Sequence, residues 1–191
     1  TSSTAQNYTV NWYFGVNAAI NFAGGVANPF TGALNTNEGC SVASDSTGAI
    51  MFYTNGITIW DKSNTVMPNG DSLLGGVSST QSALVVPNPA NVQQYYVFTV
   101  DEIGGPNGFR YSIVDMTLNS GLGDVITKNV LVLNNVTEKL TGVWQLGTNN
   151  YWITVHEWGT DAFYSYNLTP AGLQTTPVIS NVGTVHNTSQ I

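Results

Sequence analysis

The chain has 191 residues, of which 42% are apolar and only 8% are charged, and its net charge at pH 7 is −7. This length and this apolar fraction predict a folded globular protein rather than a disordered chain. Its cations are Lys62, Arg110, Lys128 and Lys139. Because four scattered cations cannot form a stripe that follows a phosphate backbone, neither nucleic acid nor an anionic membrane surface is expected as a partner.

Helix-favouring Glu, Lys and Arg are scarce, whereas Thr, Val, Ile, Tyr and Trp are plentiful, so the composition favours β-structure. The single cysteine, Cys40, excludes a disulfide within the chain and is predicted to be a small buried apolar residue. No apolar run approaches the roughly 18 residues of a membrane-spanning helix, so no membrane span is expected. The small, polar residues 1–6 are typical of a chain that follows a signal-peptide cleavage site, which suggests export.

In chain order, the first strand signal is WYFG at 12–15, followed by INF at 20–22 as a degenerate early copy of what comes later. Apolar runs at 49–53 and 57–60 are separated by Asn55-Gly56, which predicts a hairpin with a type I′ turn. The same order recurs at 94–99 with 109–116, and at 150–154 with 162–166. The stretch 121–128 looks least like a strand and is predicted to be an excursion between sheets.

Thr54, Thr99 and Thr154 align in these repeats at intervals of 45 and 55 residues, which is the range of propeller blades. Each repeat is preceded by a further apolar strand, so we expect an all-β fold of repeated three- to four-stranded antiparallel sheets, as a partial or small β-propeller. The approximate repeats are 39–81, 82–133 and 140–182 within a single domain spanning 1–191. Runs such as YYVF at 95–98 do not alternate between apolar and polar, which predicts sheets covered on both faces.

Seven short strings add to this interpretation of the fold: NWYFG (11–15), NTNEGC (35–40), MFYTNG (51–56), MPNG (67–70), STQSA (79–83), YYVFTVD (95–101) and HEW (156–158). Together they resemble the N-terminal propeller-like region of Bacteroidetes cell-surface proteins associated with gliding motility and type IX secretion, which carry type B sorting domains. The resemblance covers nearly the whole chain. It implies an extracellular, outer-surface location and O-glycosylation at short acidic-hydroxyl motifs containing Ser46 and Ser72. It also implies either a longer chain with further blades or a short stand-alone relative that closes its sheet edges differently.

Polar residues follow the aligned threonines, namely Asn55, Asp101, Glu102, His156 and Glu157. In a propeller these residues would lie near one rim, where they form a candidate glycan or cation site. The alternative is that they only cap the ends of the strands. Trp158 is predicted to be exposed beside them, and structural calcium at Asp101, Glu102 and Asp115 stays open, although no EF-hand loop is present.

The sequence therefore favours an exported, non-catalytic adhesin module that binds glycans or proteins through its loop ends. A structural protein that self-assembles through open sheet edges is the first alternative. An extracellular glycan-cleaving enzyme is the second, because a pair of carboxylates can hydrolyse glycosidic bonds. No Gly-x-Ser-x-Gly elbow supports serine hydrolase chemistry.

Overall fold

The computed structural model describes residues 7–187, where every helical segment is a three-residue 3₁₀ turn and the rest of the regular structure is β-strand. The strands form four antiparallel sheets, none of them closed, and each sheet uses strands that are consecutive in sequence. The expected all-β fold of small antiparallel sheets is confirmed.

The first sheet contains β1 (Asn11–Phe14), β2 (Val16–Asn21) and β3 (Asn28–Asn35). The second contains β4 (Ser41–Ser44), β5 (Ile50–Thr54) and β6 (Ile59–Asp61). The third contains β7 (Ala83–Asn88), β8 (Asn91–Val100), β9 (Phe109–Asp115) and β10 (Asp124–Leu133). The fourth contains β11 (Val136–Trp144), β12 (Tyr151–Glu157) and β13 (Ala162–Thr169), with β14 (Gly172–Leu173) and β15 (Val178–Asn181) both paired to β13.

Thr54, Thr99 and Thr154 each lie in the second strand of a sheet, in β5, β8 and β12. The sheets follow the same order as the repeats, although β11 starts at Val136, ahead of residue 140 where the last repeat was placed. The prediction of an excursion at 121–128 is wrong in its second half, because β10 begins at Asp124 and pairs with β9.

The hairpin between β5 and β6 differs from the predicted type I′ turn. Thr54 pairs with Ile59, so the loop has four residues, and among them only Gly56 has a positive φ, of 87°. The Asn55 Oδ1 accepts hydrogen bonds from the backbone N–H groups of Ile57 and Thr58, at 3.0 and 2.8 Å. This side-chain cap organises the turn in place of a left-handed Asn55.

The sheets pack face to face, and alternate residues of one strand enter different cores. Tyr95 and Val97 of β8 pack against the second sheet, whereas Tyr96 and Phe98 pack against the fourth. The second and third sheets are therefore covered on both faces, as their unbroken apolar runs predict. The first and fourth sheets are not, since Trp12 and Val143 on their outer faces are 58% and 62% exposed.

The first sheet is not an equivalent copy of the others. Asn11 at the start of β1 donates hydrogen bonds to Ser44 Oγ and to the Gly48 carbonyl, at 2.9 and 2.8 Å. Near the other end of β1, the Tyr13 carbonyl accepts a hydrogen bond from the Cys40 thiol, which precedes β4. β1 therefore runs antiparallel to β4, a reversal that the sequence repeats do not reveal.

Residues 76–82, which we call the hub segment, connect the sheets near the starts of β4, β7 and β11. The Gly76 N–H donates to the Val100 carbonyl, and the Ser79 carbonyl accepts from the Gly39 N–H. On the other side, the Thr80 N–H donates to the Glu138 carboxylate at 2.9 Å, and the Leu140 N–H donates to the Gln81 side chain at 2.9 Å. One short loop thus bonds to the residues before β4, to the end of β8 and to β11.

We expect Gly39→Ala to lower the free energy of unfolding by about 1–3 kcal/mol, the usual cost of overpacking. A Cβ atom at position 39 would overlap the backbone of Ser79 and Ser82 in the hub segment, which cannot rotate away. The measurement is chemical denaturation. Gly142→Ala is the matched control, because there the nearest contact is the mobile end of Leu84 at 2.9 Å. Equal stability of the two variants would contradict the role given to the hub segment.

Candidate functional site

The loop end of the stack is the end at which β5, β8 and β12 finish, beside the hub segment. The residues predicted to bind a ligand lie there: His156 and Glu157 are the last two residues of β12, and the others, Asn55, Asp101, Glu102 and Trp158, follow one of the three strands. The loops are joined to one another. The Gly104 N–H donates to the Val136 carbonyl at 3.1 Å, and the Trp158 N–H donates to the Asn135 carbonyl at 2.8 Å. The third and fourth sheets therefore share one network of loops.

Asn55 is set apart from the other predicted residues, in the loop after β5. Its Oδ1 caps the turn described above, and its Nδ2 donates to the Asn35 carbonyl at 2.9 Å. With residues 35–37 and Val77 it lines a cavity of about 240 Å³. Because both polar atoms of its side chain are engaged by the backbone, Asn55 acts here as a turn cap.

Asp101 and Glu102 also stabilise their own surroundings. The Asp101 carboxylate accepts hydrogen bonds from the N–H groups of Glu102 and Asn107, at 2.9 and 2.8 Å, which closes the loop between β8 and β9. The Glu102 carboxylate accepts from the Ser78 N–H at 2.7 Å, and the Ser78 hydroxyl donates to Glu38 at 2.9 Å. Two carboxylates from different sheets are therefore held beside one residue of the hub segment.

The three predicted residues after Thr154 have different environments. His156 is buried, with 2% of its surface exposed, and Glu157 lies 3.4 Å from the Tyr164 hydroxyl. Trp158 was predicted to be exposed, but it is half-buried and its indole lies against Gly104, where a Cβ atom would come within 2.7 Å of the ring. The indole packs between loops because Gly104 has no side chain.

Residues 7–187 contain no group of three or more His, Cys, Asp or Glu side chains placed to hold a metal ion. Asp115, which the sequence offered as a calcium ligand, accepts hydrogen bonds from Gln94 and Thr117. These hydrogen bonds lower the pKa of the Asp115 carboxyl below its ordinary value, and the bond from Gln94 has the largest effect.

Ser46 and Ser72, the residues proposed for glycosylation, are both exposed. Ser46 follows Asp45, whose Oδ1 accepts hydrogen bonds from the Thr47 N–H and hydroxyl in a tight turn. Ser72 has a positive φ of 53° and its carbonyl accepts a hydrogen bond from Asn129. Both positions are accessible to an enzyme, and their modification stays a prediction.

A groove of about 370 Å³ lies between the start of the first sheet and β4. Its lining comprises two short segments of the chain: Tyr8, Thr9, Asn11, Trp12, Tyr13, Cys40, Ser41 and Val42. The exposed aromatic side chains of this lining are Tyr8, at 55%, and Trp12, at 58%. Both present ring surface to solvent beside a concave site, which is how ligand pockets commonly combine aromatic area with a few polar groups.

The walls of the groove are fixed by buried contacts. Tyr13 stacks on Tyr53 with ring centroids 4.0 Å apart. Burial is the largest cause that raises the pKa of Tyr13 well above its ordinary value, and the neighbouring Tyr53 raises it further. The Trp12 indole N–H donates to the Thr9 carbonyl at 3.0 Å. The Cys40 thiol donates to the Tyr13 carbonyl, and burial raises the pKa of this half-buried thiol. The indole of Trp12 is thereby held at a defined angle.

Phenol groups from three parts of the chain gather at the opposite end from the loop end. Burial is the largest cause that raises the pKa of Tyr95, at the start of the buried part of β8, and of Tyr151, at the start of β12. The nearby phenol of Tyr8 raises both pKa values further. Tyr8, which lines the groove, is therefore close enough to both phenols to affect their pKa values.

The sequence interpretation missed this groove because its residues carry no motif. Trp12 was assigned to a degenerate repeat strand, and Tyr8 precedes the first strand signal. One signal was present. Residues 1–37 contain no charged side chain, so the exposed aromatic rings here are not interleaved with charges as they are on most protein surfaces.

Comparison with protein-family models, with curated proteins and with solved structures found no match for this chain. None of the helical turns in residues 7–187 is long and apolar enough to cross a lipid bilayer.

We expect Asp101→Ala to lower the free energy of unfolding by about 1–3 kcal/mol, because two backbone N–H groups would lose their acceptor. Asp71→Ala is the matched control, since Asp71 is 70% exposed and its contact is with Lys128 at 3.3 Å, which makes an exposed ion pair of small value. Denaturant titration measures both. If Asp101→Ala left stability unchanged, the capping role of this carboxylate would be wrong.

Proposed function

We propose that the protein is a non-catalytic binding module of the cell surface that recognises uncharged glycans. The observation that carries this proposal is the groove beside Trp12 and Tyr8, with its exposed rings and its defined wall. The apolar face of a pyranose ring packs on indole and phenol rings, while amide and hydroxyl groups bind its hydroxyls. The lack of charge in residues 1–37 matches a neutral ligand better than an acidic one.

The chemistry of the groove supports binding rather than cleavage. Glycoside hydrolysis commonly uses two carboxylates on either side of the bond. The described residues that line the groove include no Asp or Glu, and the carboxylates of Glu38, Asp101 and Glu102 bond to the loops around them. The groove therefore offers no carboxylate pair that would favour the glycan-cleaving alternative.

The expected surface location and the wider architecture belong to the same proposal. The first strands of the second, third and fourth sheets adjoin, since β4 contacts β7 and β7 contacts β11, whereas β1 contacts β4 in the reversed direction. This arrangement supports a partial propeller, and the resemblance to surface proteins of Bacteroidetes supports export. In that architecture the uncovered faces of the first and fourth sheets would be met by further sheets or by another chain.

Trp12→Ala is expected to weaken binding to a responsive glycan at least about tenfold, which corresponds to about 1.4 kcal/mol. The measurement is titration calorimetry after a screen of uncharged polysaccharides such as glucan, mannan and xylan. Removing the indole takes away one face of the site without touching a core residue.

Trp144→Ala is the matched control, because Trp144 is 51% exposed at the far end of the fourth sheet and bonds locally to the Thr148 carbonyl. Equal losses in the two variants would place the binding elsewhere. No binding by the wild-type protein to any member of the panel would overturn the glycan proposal.

A second candidate function is self-assembly, and it is favoured by the uncovered faces. Phe14 and Val16 at one end of the stack are 42% and 67% exposed, and Val143 and Val178 at the other end are 62% and 56% exposed. Exposed apolar patches on terminal sheets are typical of surfaces that associate.

If the faces associate, Phe14→Asp will shift the protein toward monomer, since a charge would have to be buried in the contact. Light scattering across a concentration series measures this. Val92→Asp is the control, because Val92 is 81% exposed on the third sheet, away from both uncovered faces. A wild-type mass that stays monomeric at every concentration would rule out self-assembly.

A further inference from the structure

His156 occupies an unusual position on the outer side of the fourth sheet. It lies near the end of β12, only 2% of its surface is exposed, and neither ring nitrogen has a hydrogen-bond partner among residues 7–187. Its ring lies edge to face with Phe163 of β13, with centroids 4.5 Å apart. A neutral imidazole has one hydrogen-bond donor and one acceptor, and here neither is used. The ring is therefore held in this site by its aromatic contacts, as an uncharged group.

The cover over His156 comes from later in the chain. After β15, residues 182–187, which we call the return segment, run back past the loop that follows β12. His186 of this segment places its ring 4.8 Å from that of His156, at an interplanar angle of 86°. Three backbone hydrogen bonds fix the segment: Val182 to Asp161, His186 to Thr160, and Gly159 to the His186 carbonyl, at 3.0, 3.2 and 2.7 Å.

The return segment and β15 have little other packing. All four residues of β15 are exposed, so this strand is held mainly by its pairing with Ala162–Ser165 of β13. The Asn181 side chain adds one hydrogen bond to Asp161 at 2.9 Å. Because little apolar surface is buried here, the contact between the two imidazoles is the packing interaction that adds to an attachment made chiefly of backbone hydrogen bonds.

We propose that the contact between His156 and His186 is an acid-sensitive latch, which helps to hold the return segment and β15 on the sheet while His156 is neutral and releases them when His156 is protonated. A protonated ring would bring two unsatisfied N–H donors and a charge into a buried apolar site. It can escape this cost only if the segment above it moves away and admits water. The inference concerns the edge of the fourth sheet and does not depend on glycan binding.

The charged and titratable groups around His156 act in both directions. Burial, the largest cause, lowers the pKa of His156, and His186 on the return segment lowers it further. Asp161 in the loop and the carboxylate of Glu157 oppose this shift. Because the folded-state pKa lies below the ordinary value of about 6.5, the stabilisation by neutral His156 is complete above that pH. It is lost as the pH falls below it.

Release would expose a functional edge. β15 covers the first half of β13, so its departure leaves the N–H and carbonyl groups of Ala162–Ser165 that face β15 without partners, while the opposite edge of β13 stays paired with β12. An unpaired strand edge is a template for another β-strand. The latch would therefore make the fourth sheet competent to accept a strand in acidic surroundings only.

The test is residue-resolved amide exchange on the full chain, measured by NMR between pH 7.5 and pH 5 and corrected for the intrinsic pH dependence of exchange. We expect protection at Val182 and His186 to fall at least tenfold across this range, while protection at Val97 in the third sheet stays unchanged. In the same samples the ring signals of His156 should titrate together with the loss of protection.

His156→Phe should keep protection at Val182 and His186 constant over the same range, because a phenyl ring fills the site and cannot be protonated. If this variant does not fold, the wild-type protein provides the test: the His156 ring signals must titrate over the same pH range in which protection at Val182 and His186 is lost. Unchanged wild-type protection down to pH 5, the same loss in the variant, or protection that follows added Zn²⁺ instead of pH would each overturn the latch.

Discussion

The hydrogen bonds of the hub segment are the constraint on which the arrangement of the sheets depends. Apolar faces such as those of Phe52 and Phe98 attract other apolar faces without fixing their relative position, since hydrophobic burial is not directional. The hub segment supplies the direction, because Thr80 and Gln81 bond to β11 while Ser79 bonds to Gly39, two residues before β4 begins. Glu138 shows how tightly the hub segment and β11 are coupled. Glu138 is 5% exposed and its carboxylate accepts a hydrogen bond from the Thr80 N–H, so moving the hub segment would leave a buried carboxylate without this partner.

The stacking of the central sheets could be predicted from the sequence because a strand with two apolar faces needs two neighbours, and residues 95–98 show this directly. The reversal of β1 could not, since apolar periodicity carries no information on strand direction. The position of the turn at Asn55 was predicted correctly, but its type was not, because Asn-Gly fits several kinds of loop. The type depends on the two backbone N–H groups that the Asn55 side chain caps. At Asp101 the sequence left ligand binding and capping open. Only the structure shows which backbone groups its carboxylate accepts from.

Charge is distributed along the chain in a way that separates the middle from the ends. Every charged side chain lies between residues 38 and 161, so the first sheet and the strands from β13 onward carry none. The acidic side chains lie in and around the central sheets, and their net negative charge favours repulsion between copies there. The first sheet and the strands from β13 onward therefore offer neutral surface, and contacts made there pay little for desolvating ions. Glycan binding beside Trp12 and association through the outer faces are both compatible with this separation.

The hydrogen bond from Cys40 to the Tyr13 carbonyl also determines how the chain responds to oxidants. The reactive form of cysteine is the thiolate, and both burial and the bound proton disfavour it here. Peroxide and disulfide exchange should therefore attack this sulfur slowly, although it lies beside an open groove. A chain with one thiol in oxidising surroundings would otherwise link covalently to its neighbours. A single backbone carbonyl thus helps to keep the protein free of such links.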